Sequence, residues 1–201
     1  MWCWSTRARL LVTNFFAHMI QTVFNKVMNS QPANEILPGL WLGNRQASQD
    51  TQWLNSNHIV TVFNCTKDIP FALTIPYKYR VPVDDNLQTE ELRNLELWSQ
   101  EVVYKVAKER GQGHRMLIHC AAGMQRSAAV VAMFLISQYR CTPEEAIAFI
   151  KSRRPIAFYG QANFGPSIRG FYDSYTRMIY DSKAWDKFPR RPLPTDPITN
   201  T

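Results

Sequence analysis

The most constraining feature of this chain is the apolar, strand-like run Met116-Leu-Ile-His119, a short loop of small residues after it, and the helical run Ser127–Tyr139. Strand, tight loop and helix in that order turn successive backbone N–H groups and the positive end of a helix dipole toward one point, an arrangement that holds phosphate. The loop reads Cys120-Ala-Ala-Gly-Met-Gln125, with Arg126 and Ser127 behind it. Gly123 permits a backbone turn that a side chain would hinder, so the loop can curl into an anion nest. The same N–H groups would stabilise a thiolate on Cys120, and the thiolate is the nucleophilic form of cysteine. Arg126 offers a planar fork that grips two phosphoryl oxygens at once.

The remainder of the chain supplies enough material for one core around this unit. Of 201 residues, 45% are hydrophobic and 12% aromatic, while only 19% are charged. That composition excludes a disordered chain, a coiled coil and a collagen-like rod. The net charge of +7 favours anionic partners without choosing among phosphorylated groups, nucleic acid and acidic membrane. Cys3, Cys65, Cys120 and Cys141 are irregularly spaced and contain no CxxC, so neither a disulfide framework nor a zinc site is expected. No metal-ligand cluster and no cleavable signal sequence are visible. The reading is a protein of a reducing compartment, the cytoplasm, with the nucleus as a second location. The stretch Leu10–Met28 carries too many polar residues for a transmembrane span.

Three segments are expected: an N-terminal helical extension over 1–33, a catalytic domain over 34–182 and a flexible Pro/Arg-rich tail over 183–201. In the first, apolar residues fall in pairs every four positions from Leu11 to Met28, as in an amphipathic helix, and a homodimer contact is one use for such a face. In the domain, Ile36–Gly43 reads as two short strands about the Pro38-Gly39 turn, followed by a helix near Ser48–Asn55. Ile59–Phe63 and Tyr79–Val83 read as strands. A long helix then starts with Thr89 as its cap and ends before Gly111. Thr142-Pro-Glu-Glu145 starts a helix that ends near Arg153, and a last helix covers Gly165–Tyr180. The tail's Arg191-Pro-Leu-Pro194-Thr-Asp-Pro197 has the form of a polyproline ligand for an SH3-type domain, a pattern that also arises by chance.

The segment His119–Ser127 resembles the HCxxGxxR(S/T) signature of the cysteine-dependent protein phosphatases, and in particular their dual-specificity branch. The resemblance runs from about Asn34 to Met178. It includes Ile36-Leu-Pro-Gly-Leu-Trp-Leu-Gly43, His58–Thr66, and Ser152-Arg-Arg-Pro155 followed by Asn163-Phe-Gly165. Extra residues lie between Pro155 and Asn163, and Pro166 stands where the family has Phe. The resemblance implies an α/β fold with a central mixed β-sheet flanked by helices. It implies hydrolysis of phosphotyrosine and of phosphoserine or phosphothreonine through a cysteinyl-phosphate, with no cofactor.

Within that frame Cys120 is the nucleophile, and Ala121, Ala122, Gly123, Met124, Gln125 and Arg126 bind the phosphate. The resemblance gives Ser127 the task of helping the thiolate leave phosphorus. His119 orders the loop and is not the base. A proton donor is also required, because an alkoxide departs poorly; strand alignment selects Asp85, with Asp84 as runner-up. Arg154 either supports substrate phosphate, as in some members, or is a helix-end arginine. Asn163 braces the loop. Cys65 is either a small buried strand residue or a resolving thiol for oxidised Cys120. The uncharged loop and the Val-Pro-Val-Asp-Asp acid segment favour a shallow pocket for phosphoprotein over a lipid substrate. An RNA 5′-triphosphatase, the one nucleic-acid alternative, and a non-enzymatic phosphosite-binding module remain open.

Overall fold

The computed structural model describes residues 31–86, 88–182 and 189–195. The expected amphipathic helix of residues 10–28 and its dimer contact lie outside the described residues. Five strands form one mixed sheet: β1 (Ala33–Leu37), β2 (Leu40–Gly43), β3 (Ile59–Asn64), β4 (Tyr77–Arg80) and β5 (Arg115–His119), in the order β1-β2-β5-β3-β4. β1 and β2 are an antiparallel hairpin about Pro38-Gly39, and every other pairing is parallel. The helices are α1 (Arg45–Gln49), α2 (Thr51–Ser56), α3 (Thr89–Gly111), α4 (Arg126–Tyr139), α5 (Pro143–Arg153) and α6 (Gly165–Asp181). Among the described residues, no helix is long and apolar enough to cross a membrane.

Alternation along the strands divides the interior, as the two-residue period of a strand requires. Leu40, Leu42, Phe63, Met116 and Ile118 join the main core with α3–α6, whereas Val62 and Leu117 face a smaller cluster with Leu54, Ala47, Ile75, Trp41 and Trp53. α4 lies in the middle of the main core, and every residue from Arg126 to Ile136 is buried. That is why its sequence is apolar on all sides.

Register sets the position of the site. Gly43 and Asn64 both pair with His119, and Asn64 pairs with Arg80, so all four parallel strands end on one line. The segments that follow them (α1, the loop after β3, the acid segment after β4 and the cysteine loop) leave from the same edge. Carboxyl ends of parallel strands are where open α/β sheets bind ligands.

Several sequence expectations are corrected. The single helix over Ser48–Asn55 is two short helices meeting at Asp50, whose Oδ1 accepts the Trp53 N–H at 2.9 Å and starts the second. The strand expected at Tyr79–Val83 ends at Arg80, because Pro82 has no N–H to continue the ladder. Thr89 does not cap α3; Gln88 occupies the N-cap without a side-chain bond, and Gly111 lies inside the helix. The tail is not free over 189–195. The Arg191 N–H donates to the Tyr139 carbonyl at 3.1 Å, Arg190 pairs with Glu145, and Leu193 packs against the main core. Prolines forbid helix and strand but not an extended segment anchored by one N–H and one apolar side chain.

Candidate active site

Cys120 follows β5 directly and is 1% exposed. Its Sγ accepts the Gly123 N–H and the Ser127 hydroxyl, each at 3.2 Å. Burial by itself would raise the thiol pKa. The Ser127 hydroxyl and N–H, the Arg126 guanidinium and the Met124 N–H reverse the sign and hold it below the ordinary thiol value.

The loop owes its shape to bonds made from outside. The Ala121 carbonyl accepts the Arg45 N–H at 3.0 Å, and the Met124 carbonyl accepts the Phe158 N–H at 2.8 Å. Between them, the Arg154 guanidinium donates to the carbonyls of Ala122 at 3.4 Å and Gly123 at 2.9 Å. In a planar trans peptide the next N–H points opposite to the carbonyl. Pinning these four carbonyls outward therefore turns the N–H groups of Ala122, Gly123, Met124 and Gln125 inward. Gly123 has φ of +67°, and a Cβ there would stand 2.5 Å from the Gly43 carbonyl oxygen, so both conformation and space require glycine.

Arg126 is 8% exposed and anchored through Nη1 to the Val83 carbonyl at 3.1 Å. Its Nε is buried without a hydrogen-bond partner among the described residues and lies 3.8 Å from Asp85 Oδ2. A committed Nη1 and an unsatisfied Nε leave the guanidinium edge available for an oxyanion.

The two acid candidates separate cleanly. Asp84 pairs with Lys67 Nζ at 2.7 Å, and its N–H donates to Glu91 Oε2 at 2.9 Å. Lys67 also reaches Glu91 at 2.7 Å, and that bond together with the Asp84 N–H holds the Glu91 carboxyl below its usual range. Asp84 thus anchors the acid segment, while Asp85 faces Arg126.

The supporting residues fall differently from expectation. Arg154 is not at the substrate surface: it is 1% exposed, its Nη1 donates to Asn34 Oδ1 at 2.5 Å, and burial lowers its pKa to about 10. It supports the loop's backbone from behind. Asn163 meets the loop through its main chain, its N–H donating to Gln125 Oε1 at 3.0 Å, while Gln125 Nε2 donates to the Gln161 carbonyl at 2.9 Å. Gln125 is therefore the clamp that ties the inserted segment to the loop. His119 is wholly buried, with Nδ1 3.4 Å from the Cys120 carbonyl, and burial first and then the positive charges of Arg80 and Arg126 push its pKa down to about 4. The imidazole there is neutral, and its Nε2 is buried without a hydrogen-bond partner among the described residues. Cys65 donates its N–H to the His119 carbonyl at 2.8 Å, and burial raises its thiol well above the ordinary range, a poor state for attack on an oxidised neighbour. Among the described residues no cluster of three or more His, Cys, Asp or Glu could hold a metal.

Sequence reasoning missed the Gln125 clamp, the Lys67–Asp84–Glu91 network, Asn34 and the Arg45 N–H. A side-chain amide inside a loop of small residues was a signal for the first. The others are main-chain or long-range contacts with no local pattern.

A buried thiol under four inward N–H groups, an arginine edge and a facing carboxylate define a cysteine-dependent phosphate site. The model of the dual specificity phosphatase catalytic domain matches residues 40–173, and the chain belongs to that family. It is 35% identical over 133 residues to dual specificity protein phosphatase 2 of Mus musculus, covering 63% of this chain and 41% of that protein. It is 31% identical over 174 residues to a protein phosphatase Slingshot homolog of Xenopus laevis, covering 83% of this chain and 24% of that one. The chain thus spans about two fifths of the first of these relatives and a quarter of the second. Among solved structures, human DUSP28 superposes with a TM-score of 0.64 at 22% identity, covering 73% of this chain and 96% of that one. A mouse putative dual specificity phosphatase complexed with zinc tungstate gives a TM-score of 0.61 at 25% identity, covering 76% of this chain and 91% of that one.

Proposed function

We propose that this protein is a dual-specificity phosphatase that hydrolyses phosphotyrosine and phosphoserine or phosphothreonine in proteins through a cysteinyl-phosphate. The observation that carries the reading is the convergence on Cys120 Sγ of the Gly123 N–H and the Ser127 hydroxyl, with the unsatisfied Nε of Arg126 and Asp85 beside it. The Cys120 thiolate attacks phosphorus and the bond to the leaving oxygen breaks. The inward N–H groups and Arg126 carry the equatorial oxygens, donors that need no reorganisation as charge develops. Asp85 gives the leaving oxygen its proton. In the second step Asp85 takes a proton from water, which attacks phosphorus and expels the Cys120 thiolate. The Ser127 hydroxyl stabilises that thiolate as it departs. Every group the chemistry requires is supplied by the chain.

The test is hydrolysis of matched phosphotyrosine and phosphothreonine peptides by the full chain, with and without chelator. Both peptides are expected to turn over, chelator to have no effect, and Cys120→Ser to be inactive while still binding a phosphopeptide. Pure folded protein that turns over neither peptide would contradict the proposal.

A further inference from the structure

β4 closes one side of the sheet, and among the described residues no strand pairs with its outer edge. In a parallel ladder every second residue gives both of its main-chain groups to one neighbour. The Val81 N–H donates to the Asn64 carbonyl of β3 at 2.9 Å, so Tyr79 and Tyr77 address β3 as well. Lys78 and Arg80 therefore turn their N–H and C=O groups to the open edge. Beside it lies a groove of about 210 Å³ between β4 and α3, lined by Phe63, Tyr79 and Val81 on the sheet side and by Trp98 and Val102 on the helix side. Trp98 is 40% exposed. A free edge next to a half-open aromatic groove meets both needs of an added strand: main-chain partners, and a pocket for every second side chain.

Side chains along the edge alternate between two faces. Tyr79 packs on the α3 face, its ring stacked on Phe63 and its hydroxyl donating to Glu109 at 2.8 Å. Lys78 and Arg80 fall on the opposite face, and both are exposed. Arg80 keeps its charge while donating to the carbonyls of Thr66, Lys67 and Ile69. Lys78 has no hydrogen bond or ion pair among the described residues. The one acid that lines the groove, Glu101, is already paired with Lys105 at 3.2 Å. The edge is thus basic on one face and aromatic on the other, and this decides its occupant. A second copy laid antiparallel would set Lys78 and Arg80 against the same cations of its partner, and like charges across a strand pair are destabilising. A strand with carboxylates on one face and apolar side chains on the other complements both.

We infer that the β4 edge and the α3 groove bind an extended acidic segment of a partner protein. The segment adds to the sheet as a further strand, with carboxylates beside Lys78 and Arg80 and apolar side chains against Trp98. The site shares no residue with the cysteine loop and needs no phosphate, so it stands independently of the phosphatase reading.

The probe is a fluorescein-labelled, unphosphorylated heptapeptide in which Glu alternates with Leu, with counterparts that carry Gln or Lys in place of Glu. Binding to the full chain is followed by fluorescence anisotropy. At low salt the Glu peptide is expected to bind at least about tenfold more tightly than the Gln peptide, a margin that shrinks as salt is added. Lys78→Glu is expected to reverse the preference in favour of the Lys peptide, a change of order within one protein that partial unfolding cannot produce. Trp98→Ala should weaken the Glu peptide about tenfold, and Ala in place of Leu in the peptide should do the same with the wild type. N-methylation of alternate peptide amides tests the strand itself: one set should abolish binding and the other leave it. Loss with the Glu amides marks an antiparallel strand and loss with the Leu amides a parallel one. Absence of binding, a preference for Glu that survives Lys78→Glu, or equal effects of the two methylation patterns overturns the inference. If binding is absent and the full chain is a dimer that Trp98→Ala dissociates, the face belongs to a second copy instead.

Discussion

Asp84 and Asp85 are neighbours in sequence and opposites in environment. Asp84 is held by Lys67 and, through its N–H, by Glu91, whereas Asp85 faces the Arg126 guanidinium. Asp85→Asn is expected to lower kcat about a hundredfold on a phosphoserine peptide, within the usual range for general acid catalysis. The effect should be smaller on p-nitrophenyl phosphate, whose leaving group departs without a proton. Asp84→Asn should show no such dependence on the leaving group, because it removes an anchor of the segment and not the proton donor. The kcat ratio of the two substrates for each variant checks this. Strand alignment put Asp85 ahead of Asp84, and Asp85 is the one that lies beside Arg126, but the burial of Arg154 was hidden. Two arginines before a proline look the same whether one is solvated or closed in the core.

At the scale of elements, the cysteine loop depends on its contact with the end of β2. Gly123 and Gly113 both have positive φ, near +67° and +78°, yet a Cβ at Gly113 would meet nothing within 4 Å. Gly113→Ala is expected to cost about 1 kcal/mol, the backbone conformational penalty alone. Gly123→Ala adds a collision with the Gly43 carbonyl that only a backbone shift can relieve, and should cost at least about 3 kcal/mol. Chemical denaturation of both variants measures the difference, and equal costs would contradict the packing argument. Local patterns did identify elements whose signals are local. The capping box at α5 is present in full, with Thr142 Oγ1 accepting the Glu145 N–H and Glu145 Oε2 accepting the Thr142 N–H. The division of the Ser48–Asn55 segment turned on Asp50, whose side chain caps only once the chain has already bent.

The pH dependence of stability belongs to the whole molecule, because its charges are buried by several elements at once. His119 has a folded pKa near 4, below the value of about 6.5 for the free side chain. The unfolded chain binds that proton first, so stability is complete above about pH 6.5 and declines as pH falls toward 4. Glu109 on α3 adds a second loss at lower pH. Burial works against its ionisation, but His114, Tyr79 and Thr61 all bond to its carboxylate and hold its pKa below the usual range. Its contribution is present above the unfolded value and is lost as pH falls through the folded one. Urea midpoints from pH 8 to pH 3 should fall in two stages. His119→Asn is expected to flatten the first and Glu109→Gln the second; unchanged slopes would contradict both assignments.

The sequence by itself determined the chemistry of the loop and the class of fold. Cys120, Gly123, Arg126 and Ser127 lie on one strand–loop–helix unit, where local backbone geometry and spacing dictate who meets whom. The tertiary structure alone decided what holds that unit in shape. Arg154 on the loop's carbonyls, the Gln125 clamp, the Arg45 N–H, the Lys67 anchor and the docking of residues 189–195 all join positions far apart in the chain. Their meeting follows from the parallel register that ends four strands on one line. No local pattern encodes it, because it arises only when the whole sheet is packed.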